Sequence, residues 1–173
     1  VNVEGVPFFW NSDGIYTIYP NDLGSLEVKS ITDKTIQTFY NDIPQVNKKF
    51  AKGAYNALTK TIKWTYRSDS FIGFHTFYYN HNAVLCLDLN LGAFYTYEVS
   101  TGIDTSNPYI NGILAVSNYL SASATDDRFY YITTKFITGT TYSLTFSRER
   151  DEDFQDWNDA TLGSPTLYTT YFI

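Results

Sequence analysis

Two neighbouring stretches decide the fold: Thr61-Ile62-Lys63-Trp64-Thr65-Tyr66 and Ala83-Val84-Leu85-Cys86-Leu87-Asp88. In the first, polar and apolar residues alternate, so Ile62, Trp64 and Tyr66 fall on one face of an extended strand. The second is a nearly continuous apolar run, the pattern of a strand buried on both faces. Asp88-Leu89-Asn90-Leu91-Gly92 reads as the turn that follows it, and Ala93 to Val99 as the strand leaving that turn. Upstream, Ala54-Tyr55-Asn56 runs into a polar turn at Ala57 to Lys60. Residues 51–100 therefore read as four antiparallel strands in up-and-down order.

The same rhythm extends in both directions. Toward the start, Phe8-Phe9-Trp10 and Ile15-Tyr16-Thr17-Ile18-Tyr19 flank Asn11-Ser12-Asp13-Gly14, a hairpin in which Asp13-Gly14 suits a turn with positive φ. Pro20-Asn21-Asp22 ends it, and Thr35 to Tyr40 reads as a further strand. Asp42 to Lys52 is the helical segment, since Pro44 suits a first turn and Gly53 a stop, so one short helix near 43–52 is expected. Toward the end, Gly112 to Asn118, Arg128 to Phe136 and Thr140 to Phe146 read as strands, Phe154 to Trp157 begins a fourth, and Leu167 to Ile173 starts or closes another unit. The expected class is all-β. Antiparallel four-stranded blades near 6–50, 51–100 and 110–160 suggest a β-propeller-like body, with a β-sandwich as the alternative. Stacked blades bury one another's faces, which accounts for an aromatic content of 18%.

Composition removes several classes of function. No apolar run approaches the roughly 20 residues of a membrane helix. One cysteine, Cys86, forbids an internal disulfide and a cysteine-rich zinc site, and it sits in an apolar run as a packing thiol. His75 and His81 are too few and poorly spaced for a histidine metal site. A net charge of −6 opposes tight wrapping of nucleic acid. The chain opens at Val1 and contains no Met, which suggests a processed chain or an ordered fragment of a longer protein.

Catalytic patterns are weak. There is no Gly-x-Ser-x-Gly elbow, and neither His has an evident serine or cysteine partner. Asp126-Asp127 and the group Glu149, Asp151, Glu152, Asp153 and Asp156 supply carboxylates for glycoside hydrolysis, although runs of this kind ordinarily form solvated loops. A calcium site at Asp151 to Asp156 lacks the ordered loop spacing with a central Gly. Ser12-Asp13-Gly14 lacks the spacing and the Thr-Trp end of the sialidase box. Trp10, Trp64 and Trp157 have the rings to stack on sugars, yet all three fall in strand patterns that suit packing between sheets.

Charge is uneven along the chain. Eight of the twelve Lys and Arg lie between Lys29 and Arg67, while acids gather after Asp126. Such an arrangement suits head-to-tail docking of copies in a ring. The candidate contacts are Lys48, Lys49 and Lys52 on the expected helix, Tyr78 and Tyr79, and Arg148, Arg150, Asp151 and Asp153. The plainer reading of the three lysines is a solvated helix face. Contact specificity is expected in the connections Phe71 to Asn82 and Ser100 to Asn111.

The stretch Ala51 to Val99 resembles a known family, through Ala54-Tyr55-Asn56, Thr61 to Tyr66, and Ala83 to Asp88 with Gly92-Ala93-Phe94-Tyr95. Phe8 to Tyr16, Phe154 to Trp157 and Tyr168 to Tyr171 are similar in kind. The family is the nozzle proteins of short-tailed bacteriophages, also called tail tubular protein B or virion stabilisation proteins. Its members are several times longer than this chain. The resemblance implies a non-enzymatic virion protein without cofactors, one portion of a propeller-like body. Copies would form a ring below the portal and adaptor, in contact with other tail proteins, through which double-stranded DNA leaves. A carbohydrate-binding or host-attachment β module is the alternative, and a glycosidase the second.

Overall fold

A computed structural model describes residues 1–70, 80–99, 109–116, 128–138, 141–148 and 167–171. Over these described residues the fold is all-β, with antiparallel strands and two short helices. The first sheet is an up-and-down run of β1 (Asn2–Val3), β2 (Val6–Trp10), β3 (Ile15–Pro20) and β4 (Leu26–Ser30). Glu4 and Gly5 both have positive φ and close the first hairpin in the tight turn that matches strand twist. The next loop works differently from the expectation. Gly14 is not in the left-handed region; it is required because a Cβ there would lie 2.5 Å from Thr32 Oγ1.

Thr35 to Tyr40 was expected to be extended. Instead the chain forms α1 (Gln37–Asp42), followed by α2 (Gln45–Lys48). The reason is visible in the buried set: Ile36, Tyr40 and Ile43 are spaced i, i+4, i+7 and all face the core. Threonine and aromatic residues give this segment a strand-like composition, and the packing periodicity overrides it. The helical region is therefore two short helices separated at Ile43-Pro44.

The second sheet contains the alternating stretch Thr61–Tyr66 and the apolar run Ala83–Asp88. β5 (Lys52–Asn56), β6 (Thr61–Tyr66), β7 (Ala83–Asp88) and β8 (Ala93–Val99) form a continuous meander. Its turns follow their residues. Asn56 Oδ1 accepts from Leu58 N and Thr59 N at 2.9 and 3.2 Å. Asp88 Oδ1 accepts from Asn90 N and Leu91 N at 2.8 and 3.0 Å, and Gly92 takes φ +64°. A fifth strand, β12 (Leu167–Tyr171), pairs antiparallel with β8. The third sheet is β9 (Tyr109–Val116), β10 (Arg128–Thr138) and β11 (Thr141–Arg148), again in chain order.

The second sheet is the middle layer. On one face Ile62, Trp64, Tyr66, Leu85, Leu87 and Phe94 pack against Ile15, Ile36, Tyr40 and Ile43 of the first sheet and helices. Trp10 lies at the heart of this contact, its ring 4.8 Å from Tyr40, 5.4 Å from Tyr66 and 6.2 Å from Trp64. On the other face Val84 and Cys86 pack with Ile110, Phe129 and Tyr131 of the third sheet. Each fully buried large side chain contributes about 1.5–3 kcal/mol of hydrophobic stabilisation. Because both faces are covered, every residue of β6 is buried, including Thr61, Lys63 and Thr65.

Candidate functional site

The densest polar chemistry lies where β6 ends, β7 begins and β9 crosses them. Asn80, His81 and Asn82 are buried just before the apolar run of β7. His81 exchanges backbone hydrogen bonds with Ile110 at 2.7 and 2.9 Å, an isolated bridge that ties the second sheet to the third. Asn82 Oδ1 accepts from Ser68 N at 2.8 Å, and its amide donates to Ser68 Oγ at 3.0 Å. Asn111 donates to Asn80 Oδ1 at 2.8 Å, and Lys52 Nζ donates to the Asn111 carbonyl at 2.7 Å.

The helices enter the same network. Asn47 of α2 is buried, and its side-chain amide donates to the carbonyls of Arg67 at 3.2 Å and Asp69 at 2.7 Å. Arg67 Nε pairs with Asp69 Oδ1 at 2.6 Å, the arginine side chain buried and the carboxylate partly exposed. Polar side chains thus satisfy backbone groups where the chain leaves the sheet and no ladder partner is available.

At the centre, His81 Nδ1 lies 2.9 Å from Thr65 Oγ1. A hydroxyl beside an imidazole is the first half of a nucleophile–base pair. Here both side chains are sealed from solvent, so the pair fastens β6 to the segment that enters β7. Burial pushes the imidazole down to about 4; nearby Lys52 and Arg67 act in the same direction, against an opposing contribution from the Phe50 carbonyl. The ring is neutral at neutral pH. Among the described residues no three His, Cys, Asp or Glu converge to hold a metal ion.

A second polar insertion lies on the same strand. Lys63 is buried on the face covered by the third sheet, with Nζ 4.9 Å from the Tyr97 ring centre and 4.8 Å from that of Phe129. The ammonium between two ring faces links β6, β8 and β10 by cation–π attraction.

The chain matches no family model, no curated protein and no solved structure. The three lysines expected on one helix face separate. Lys48 is buried with Nζ 4.6 Å from the Tyr40 ring centre, and burial lowers its ammonium from the usual lysine range. Lys49 is exposed beyond the end of α2 and lies over the Phe50 ring. Lys52 begins β5 and spans to β9. A common solvated face is thus replaced by one core cation and two separate surface ones, because the helix stops at Lys48.

Arg148 ends β11, opposite Tyr130. Tyr78, Tyr79, Arg150, Asp151 and Asp153 lie outside the described residues, as do His75, Trp157 and the carboxylates Asp126, Asp127, Glu149, Glu152 and Asp156. Trp64 is in the core, and Trp10, partly buried, packs against it and against the Tyr40 and Tyr66 rings. Residues 80–82 and 109–111, expected in contact loops, instead belong to the buried seam and to β9. The sequence reading missed the seam itself. Its signal was the polar triplet Asn80-His81-Asn82 set directly against a strand buried on both faces.

Proposed function

We propose that this chain is a structural virion protein, part of the tail nozzle of a short-tailed bacteriophage. Copies stand in a ring below the portal and adaptor, and the genome passes through the bore. One observation carries the reading. The segments of closest resemblance, 54–56, 61–66, 83–88 and 92–95, assemble into a single meander that is the middle layer between two further sheets. A layer covered on both faces is what a propeller-like body needs of its internal blades. The described polar network supports the same role, since it fastens strands to one another. No described helix is long and apolar enough to cross a membrane, as the virion role requires of none.

The test is immunogold electron microscopy of intact particles from the source, with antibody raised against this chain. Label at the tail tip is the expected result. Label elsewhere on the particle, or particles without label, refutes the assignment.

A further inference from the structure

The outer edge of the first sheet carries an unusual strand. β4 pairs only with β3, and no described residue pairs with its other edge. Leu26, Glu27, Val28 and Lys29 are all exposed, Leu26 at 76% and Val28 at 58%. Natural edge strands are ordinarily blunted by charge, bulges or a covering segment; here Glu27 and Lys29 supply charge on one face, while Leu26 and Val28 leave the other face apolar and exposed.

The backbone determines what fits. The bond from Asn21 N to Ser25 O (2.7 Å) and that from Ile31 N to Ile15 O (2.9 Å) bracket the β3–β4 ladder. In an antiparallel pair the bonding residues alternate, so Glu27 and Lys29 direct their backbone groups to β3. Leu26, Val28 and Ser30 direct theirs outward.

The side chains identify the partner. If a second β4 is laid antiparallel about a two-fold axis through Val28, Val28 meets its own copy and Leu26 meets Ser30. Glu27 then meets Lys29, twice by symmetry. The outward backbone groups fall in the hydrogen-bonded pairs, and both Glu–Lys pairs fall in the non-bonded positions, where side chains approach most closely. Leu26 and Val28 of the two copies form one apolar stripe on a single face.

We propose that β4 is a docking edge for a second copy of this chain, joined antiparallel about a two-fold axis at Val28 into a continuous eight-stranded sheet. Charge complementarity selects this occupant and register: a shift of one residue would set unlike faces together and separate both ion pairs. The proposal stands independently of the nozzle reading.

Sedimentation of the full 173-residue chain across a concentration series tests it, with circular dichroism on each variant. The wild type is expected to form a reversible dimer with a micromolar dissociation constant, given the small interface. Val28→Pro removes an outward N–H that β3 does not use, so it should give a folded monomer. Lys29→Glu or Glu27→Lys alone opposes like charges at both symmetric pairs and should weaken the dimer roughly tenfold. The double change Glu27→Lys with Lys29→Glu should restore it. Val28→Cys should form a disulfide-linked dimer on oxidation, since directly bonded antiparallel pairs lie about 5.5 Å apart at Cα; Cys86, the sole native thiol, is buried. A monomeric wild type at submillimolar concentration overturns the proposal. So does equal mass for wild type and Val28→Pro, or a double swap no tighter than the single changes.

Discussion

Acidification should unfasten the polar seam through a single residue. His81 is fully buried, and its pKa falls from 6.5 to about 4 because burial penalises the charged ring. A histidine with a depressed folded-state pKa stabilises the fold fully above its unfolded value of 6.5. As the pH falls below 6.5, the unfolded chain takes up the proton and the native state does not, so stability declines until the pH passes through 4. With those two values the loss is about 3 kcal/mol at pH 4, more than half of it already present near pH 5. The comparison variant is His81→Asn, which keeps an amide near Nδ1 for Thr65 and does not titrate. Urea denaturation at steps of pH, followed by the fluorescence of Trp10 and Trp64, gives each stability curve. The difference between wild type and variant cancels the carboxylates and His75, which both chains share. That difference should be flat above pH 7 and shrink by about 3 kcal/mol toward pH 4. Parallel curves across this range would show that His81 accepts a proton in the native state as readily as in the unfolded one, and would refute the reasoning.

Other substitutions probe the layers separately by denaturant titration. Asn47→Ala strands the carbonyls of Arg67 and Asp69 and should cost about 2–3 kcal/mol, although it removes little apolar surface. Gly53→Ala sets a Cβ 2.5 Å from Val1 Cγ2 and 2.6 Å from Trp64 Cδ1, and the displaced indole should cost about 1–3 kcal/mol. Tyr40→Phe removes the hydroxyl that donates to the Asn11 carbonyl while leaving the ring between Trp10 and Lys48, so a loss of about 1–2 kcal/mol is expected, well below that of Tyr40→Ala.

Much of the β architecture was legible because its signals are local. Asp88 to Gly92 and Asn56 to Lys60 carry turn chemistry that acts within a few residues, and the run from Ala83 to Leu87 announces burial on both sides. Lys63 and Thr65 were not legible in this way. Alternation with Ile62, Trp64 and Tyr66 marks a strand with one wet face, whereas the third sheet covers that face and Lys63 resides between Tyr97 and Phe129. Nothing near Lys63 in sequence reveals rings that arrive from two other strands. The helix at Gln37–Asp42 fails for a related reason: Thr35, Thr38, Phe39 and Tyr40 favour extension one by one, and only the distant core selects the spacing of Ile36, Tyr40 and Ile43. The polar seam drew its members from α2, β5, β6, β9 and the segments that leave β6 and enter β7, so pairwise motif logic applied to His75 and His81 did not reach it.

The position of β12 has a consequence for how the molecule is made. β5 to β8 can zip together as neighbours while the chain emerges, but β8 keeps a row of unpaired amides and carbonyls until residues 167–171 arrive. That last ladder spans a long stretch of sequence, and it closes slowly compared with the local hairpins. During synthesis the nascent chain thus carries an open strand edge along β8, available to any other extended segment that reaches it first. Truncation before residue 167 would make that transient vulnerability permanent.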